Sequence, residues 1–230
     1  MNGTRLLKPQ HNSETKDVCR VVVLGYPGVG KTALIVRFLT KRFIGEYCPT
    51  LESIYRYSSD KSDEDDVRMD ILDTAGHVDT QPCWNEGYAL WGDCFVLVYS
   101  ITEEISFKEV QTLRHLLEAA KRQNAYFCVL VGNKNDLVYD RQVTTSQGQE
   151  LADDIGCKFY EVSACEWNQL PQVVDIFNDL HATWRRSKQA RDGRPRKSSS
   201  STKFRQAIQK VISGKSSNVK KMTATNNGSV

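Results

Sequence analysis

Gly25, Gly30, Lys31 and Thr32 stand at the spacing G-x-x-x-x-G-K-T, just after the apolar run Val21, Val22, Val23, Leu24 and just before an apolar stretch at helical spacing. Such a segment is suited to anion binding. Glycines let successive backbone N–H groups point inward with no Cβ in the way, and a helix starting there adds unpaired N–H groups at the positive end of its dipole. Lys31 would bring a point charge to the β- and γ-phosphates of a nucleotide, and the Thr32 hydroxyl would reach a magnesium ion. A second group is Asp73, Thr74, Ala75, Gly76 and His77. Its carboxylate suits Mg²⁺ held through water, and the Gly76 N–H has no side chain to keep a γ-phosphate away. A third is Asn133, Lys134, Asn135 and Asp136, with Ser163 and Ala164 further on. A carboxylate accepts from both N1–H and the 2-amino group of guanine, whereas adenine has neither. The Ser163–Ala164 backbone would offer an N–H to guanine O6. Taken singly, each group also has a plainer use: a glycine-rich turn, an Asp that caps or turns, a polar loop with an Asx turn.

The elements around these groups decide between the two uses. Val18 to Leu24 is expected to be a buried strand, and Lys31 to Arg42 a helix. Gly45 and Pro49 break that helix and leave Thr50 in a loop. Strands at Leu51 to Tyr57 and Val67 to Leu72, joined by the acidic segment 58–66, read as a hairpin. The stretch Val78 to Gly92 is irregular, with a short helix. Buried strands follow at Cys94 to Tyr99, Tyr126 to Val131 and Phe159 to Val162. Helices are expected at Glu103 to Gln123, Ser146 to Ile155 and Leu170 to Trp184. Strand and helix alternate after the hairpin, which specifies an α/β fold: a mostly parallel six-stranded sheet with one antiparallel edge strand and helices on both faces. Ligands of such sheets sit at the carboxyl ends of strands, and every polar group named above falls there.

In this order, G-x-x-x-x-G-K-T, a Pro-Thr loop, D-T-A-G, N-K-x-D and S-A over residues 18–186 make the chain resemble a Ras-type small GTPase of the P-loop fold. The stretch 36–47 and the segment 49–53 most resemble the subgroup of the Ras-like estrogen-regulated growth inhibitor. The resemblance implies a guanine-nucleotide-binding switch that hydrolyses GTP to GDP with Mg²⁺ and signals through protein effectors. It implies that Gly25, Tyr26, Pro27, Gly28, Val29, Gly30, Lys31, Thr32 and Ala33 wrap the phosphates, and that Phe43 lies against the guanine face. Thr50 would join Thr32 on the metal, with Asp73 holding it through water. Thr74, Ala75 and Gly76 would follow the γ-phosphate. Asn133, Lys134, Asp136, Ser163 and Ala164 would recognise guanine. The implied catalytic set is Lys31, Thr50, Gly76 and His77, and the implied partners are effectors, an exchange factor and a GTPase-activating protein.

Three residues depart from that pattern. His77 stands where the family usually has a glutamine that orients the attacking water. An imidazole can donate and accept, but from a stiffer ring. Translation-factor GTPases place a histidine similarly, so His77 has two readings, a catalytic residue or an exposed loop histidine. Pro27 replaces a common glycine, removes one N–H from the phosphate loop and adds bulk where an arginine finger would pass. Cys165 replaces the lysine usual after Ser-Ala. Together His77 and Pro27 open an alternative function, a GTP-binding interaction protein with little or no hydrolysis. An ATP-dependent kinase would share the phosphate loop, but Asn133 to Asp136 and the lack of a lid-like insertion speak against it.

The chain of 230 residues is 40% hydrophobic and 26% charged, enough for one full domain. Its apolar runs are strand-sized, too short to span a bilayer. Residues 1–17 read as a flexible polar arm without a secretory signal. Seven widely spaced cysteines without C-x-x-C fit reduced thiols in the cytoplasm. Residues 1–184 hold 18 Lys and Arg against 27 Asp and Glu, net −9; residues 185–230 hold 13 against Asp192 alone, net +12. In this basic tail, residues 187–230, Phe204, Ala207, Ile208, Val211 and Ile212 fall at helical spacing within 203–213. Such a segment suits an anionic membrane surface, an acidic partner or a calmodulin-like groove, and equally reads as a disordered polybasic extension or a nuclear-import signal. No nucleic acid is expected as a partner, and a monomer is expected. The C-terminal residues Asn226 to Val230 contain no prenylation cysteine.

Overall fold

The structure is a computed structural model and describes residues 17–45, 52–59, 67–75, 84–122 and 126–191. Its strands are β1 (Cys19–Gly25), β2 (Ser53–Ser58), β3 (Arg68–Asp73), β4 (Cys94–Ser100), β5 (Phe127–Asn133) and β6 (Lys158–Glu161). Its helices are α1 (Lys31–Thr40), α2 (Glu86–Trp91), α3 (Glu104–Lys121), α4 (Thr145–Ile155) and α5 (Leu170–Arg191). The strands form one sheet in the order β2-β3-β1-β4-β5-β6. All neighbours are parallel except β2, which pairs antiparallel with β3 at the edge, Ser53 opposite Asp73 and Ser58 opposite Arg68. The expected fold class is the observed one.

Side chains alternate along each strand, so the two faces of the sheet carry separate cores. Val21, Val23, Ile71, Val96, Val98, Val129 and Val131 pack with α1 and α5. Val22, Leu24, Leu72, Phe95, Leu97, Tyr99 and Leu130 pack with α2, α3 and α4. Central strands buried on both sides can carry polar residues only at their ends, and this drives the polar groups to the rim. On the first face Phe38 of α1 stacks on Phe177 of α5, ring centroids 4.3 Å apart, and tilts against Tyr57 of β2 at 4.6 Å.

Helix ends follow local chemistry. Thr144 and Gln147 form a reciprocal capping box at the start of α4, and Gly156 closes it in the left-handed region. α1 stops at Thr40 because Lys41 turns left-handed and donates its N–H to the Arg37 carbonyl, two residues earlier than its apolar pattern suggests. α5 runs seven residues beyond the expected Trp184, through a basic stretch with no core face to announce it. Five strands also run one or two residues further than expected, β2 to Ser58 and β4 to Ser100 among them, and in the other three the extra residues include one of the site. β1 ends on Gly25, β3 on Asp73 and β5 on Asn133. Gly25, Asp73 and Asn133 are thus last residues of strands, fixed by the ladder. Among the described residues no helix is long and apolar enough to cross a membrane.

Phe177 is fully buried in the α1–α5 core. Phe177→Ala is expected to lower the unfolding free energy by about 3–5 kcal/mol, with an unchanged denaturant slope, in urea titrations followed by circular dichroism.

Candidate functional site

The loop between β1 and α1 is shaped by what its glycines touch. A Cβ on Gly25 would lie 2.2 Å from the Val98 carbonyl oxygen of β4. One on Gly30 would lie 2.3 Å from Asn133 Nδ2, and Gly30 also has φ +97°. Neither position admits a side chain. Gly30 caps α1 without any side-chain bond, and the first turn of α1 has no acidic residue. The N–H groups there keep their attraction for an anion. Lys31 is 6% exposed and folds back along the loop, its Nζ donating to the carbonyls of Gly25 at 2.8 Å and Tyr26 at 3.2 Å. The ammonium therefore sits over the loop instead of reaching into solvent. Val29 and Ala33 are buried beneath it, while Tyr26 and Pro27 are half-buried and Gly28 is exposed.

The carboxylate of Asp73 is fully buried at the end of β3, beside β1. Thr32 Oγ1 donates to its Oδ2 at 2.7 Å. Its Oδ1 is buried with no hydrogen-bond partner. Burial pushes the Asp73 carboxyl up from its ordinary value, against the Thr32 hydrogen bond and the Lys31 charge, which pull it down. An orphaned anionic oxygen beside a hydroxyl is a donor set that fits a hard divalent cation and its water. Thr74 is tied down by its Oγ1 donating to the Val23 carbonyl at 2.8 Å, and Ala75 follows half-buried. Thr50, Gly76 and His77, expected at this end of the site, lie outside the described residues.

Asn133, 2% exposed, joins the phosphate loop to the segment after β6. Its Nδ2 donates to the Val29 carbonyl at 2.7 Å, and its Oδ1 accepts the Ala164 N–H at 3.1 Å. Lys134 follows at φ +66°, half-buried, and Asp136 is exposed on the turn beyond. Ser163 and Ala164 are buried, and their N–H groups go to Gln169 Oε1 at 2.7 Å and to Asn133. The Ser163–Ala164 backbone, expected to offer an N–H to guanine O6, thus already has both of its N–H groups on acceptors within the chain. Cys165 is exposed, with its sulfur 3.0 Å from Ser163 Oγ; burial and the neighbouring Asp136 carboxylate raise its thiol above the usual range. Phe43 lies beyond α1 and is 43% exposed.

Three supports carry no motif signal. Asn135, the variable position of N-K-x-D, donates from Nδ2 to the Glu161 carbonyl at 3.1 Å and accepts from Gln169 Nε2 at 3.0 Å. Gln169 thereby clamps both base-side segments with one amide. Arg37 of α1 is 2% exposed, donates from Nη2 to the Glu166 carbonyl at 3.0 Å and lies 5.1 Å over the Trp167 ring. An Arg on the apolar side of a helix was the only available sign, and it does not say what it reaches. Arg141 and Glu161 pair through both oxygens beneath the same segment.

A sequence profile of the Ras family matches residues 20–184. The Ras-related and estrogen-regulated growth inhibitors of Homo sapiens and Bos taurus are each 47% identical to this chain over 193 residues, covering 84% of it and 94% of the relative. Ras-like protein 2 of Mucor circinelloides f. lusitanicus is 40% identical over 170 residues, covering 74% of this chain and 83% of that protein.

Asp73 generates a pH prediction. A folded-state carboxyl value raised above the unfolded one means that its stabilising share is complete below the ordinary carboxyl range and is lost as pH rises through the raised value. With nucleotide absent and metal chelated, Asp73→Asn is expected to melt above the wild type at neutral pH. Thermal melts between about pH 4 and about pH 8 should show the gap widening as pH rises.

Proposed function

We propose that this chain, which belongs to the Ras family, is a guanine-nucleotide switch that binds GTP and GDP, hydrolyses GTP and presents its loops to protein effectors. Members of this family bind guanine nucleotides, and the reading here rests on one observation above the rest. At the carboxyl end of the sheet, Asn133 bonds the phosphate loop and the Ser163–Ala164 segment at once, which supports one ligand reaching from a phosphate cradle to a base cradle. Asp136 supplies the guanine preference, since a carboxylate there is matched by N1–H and the 2-amino group and by nothing on adenine.

Hydrolysis would be in-line attack of water on the γ-phosphate. Charge grows on the phosphate oxygens in the transition state, and the chain meets it with Lys31 and the loop N–H groups. Lys31 is already immobilised by two carbonyls, so little is lost in ordering it. Thr32, Thr50 and, through water, Asp73 would hold Mg²⁺, which would supply charge neutralisation to the phosphates when bound. Gly76 would report the γ-phosphate and His77 would orient the water. Pro27 lowers the number of N–H groups available to the phosphates, which favours slow turnover. Loss of the γ-phosphate would release the segments bearing Thr50 and Gly76, the readout for effectors, an exchange factor and an activating protein. A cytoplasmic protein whose basic tail engages anionic membrane or an acidic partner completes the proposal.

Purified protein is expected to carry GDP or GTP, released on denaturation and identified by chromatography. Lys31→Ala is expected to arrive empty. Absence of guanine nucleotide from the wild type, with none bound on adding Mg²⁺ and GTP, would end the reading. Asp136→Asn is expected to weaken GTP binding by at least about 100-fold while improving binding of xanthosine triphosphate, whose 2-oxo group accepts from an amide. Single-turnover decay of bound GTP separates the switch from a binding module: decay in the wild type supports hydrolysis, and a stable GTP complex supports the non-hydrolysing reading.

A further inference from the structure

We propose that Cys128 and Cys157 form a thiol modification site, a dithiol that a hydroperoxide converts to a disulfide joining β5 to the start of β6. β5 and β6 are parallel with Val129 opposite Lys158, so Cys128 and Cys157 are the next pair down the same register. Adjacent strands lie about 4.8 Å apart, within the Cα separation a disulfide spans. Both side chains lie on the α3–α4 face with Leu130 and Phe159, and each thiol has the largest single influence on the proton affinity of the other.

Access and activation separate this pair from the other described cysteines. Cys19 and Cys94 also face each other, sulfurs 3.5 Å apart, but both are fully buried. Cys128 and Cys157 are each partly exposed. The Cys128 thiol, the Leu130 N–H and the positive charge of Arg114, whose Nη2 is bonded to the Asp154 carbonyl at 3.1 Å, all favour the Cys157 thiolate. These partners lower the Cys157 thiol against the cost of burial and the opposing charge of Asp153. Cys128 is shifted the other way, chiefly as donor to Cys157 and by burial, and stays a thiol. The roles divide accordingly: Cys157 attacks and Cys128 resolves.

The chemistry balances in two steps. The Cys157 thiolate attacks the terminal oxygen of the hydroperoxide; the O–O bond breaks, the alcohol (water, for hydrogen peroxide) leaves with a proton, and a sulfenic acid forms. The Cys128 sulfur then attacks that sulfenic sulfur, the S–O bond breaks, and water leaves with the Cys128 proton. Two electrons pass from the dithiol to the peroxide. The closed loop contains Asn133 to Asp136 and all of α4.

Full-length wild type is treated with limiting hydrogen peroxide, and every cysteine is followed by isotope-coded alkylation and peptide mass spectrometry. Cys128 and Cys157 fall on separate tryptic peptides. The expected product is a crosslink between those two peptides with loss of two hydrogens, formed before the more exposed Cys165 is consumed and with Cys19 and Cys94 intact. Cys157→Ser is expected to abolish the crosslink, and Cys128→Ser to leave a Cys157 sulfenic acid that dimedone captures. Prior consumption of Cys165, an unreacted Cys157 in the wild type, or a disulfide from Cys157 to any other cysteine overturns the proposal. The wild-type measurement stands even where a variant fails to fold.

Discussion

The amide of Asn133 is the contact on which the site depends. It is buried at the last residue of a central strand, and each half of it satisfies a backbone group of a different loop. A leucine there would fit the apolar run of β5 but would orphan the Val29 carbonyl and the Ala164 N–H together, each at a desolvation cost of about 1–3 kcal/mol. Gly30 adds the complementary constraint, since its missing Cβ is the space that the Asn133 amide occupies. The glycine of the phosphate loop and the asparagine of the base loop are thus two halves of one fit, although 102 residues separate them in the chain.

Charge is handled with similar economy. Lys31 and Asp73 are both nearly or wholly buried, and neither spends its charge on the other as a direct pair. Lys31 is held by neutral carbonyls and Asp73 by a hydroxyl, which leaves one carboxylate oxygen without a partner. A protein selected only for stability would neutralise such groups or remove them. The open Asp73 oxygen fits a site that takes up a cation.

Much of this was legible in the sequence, for identifiable reasons. Apolar runs alternating with helical stretches determined the sheet and its two helical faces, and turn chemistry determined the β2–β3 hairpin. The ends of β1, β3 and β5 lie one or two residues past their apolar runs because Gly25, Asp73 and the Gly132–Asn133 pair break the run, while the backbone ladder continues through them. The Lys31, Thr32 and Asp73 group was legible because motif spacing fixes it. Asn135, Gln169 and Arg37 were not, because their partners are backbone atoms or side chains brought close only by folding. The length of α5 past Trp184 was illegible for a different reason: exposed basic residues continue a helix without leaving a periodic trace.

Arg37 ties the helix that begins at the phosphate loop to the segment that follows Ala164, through the Glu166 carbonyl and the Trp167 ring. Asn133 ties the same two regions from the opposite end. Two rivets on one plate fix orientation as well as distance, so the two halves of the pocket form a gauge of set length. A guanine nucleotide bound as proposed would be measured against that gauge from base to phosphate. Tightening the grip on one end cannot be done by drift of a single loop, because the other end is carried along with it.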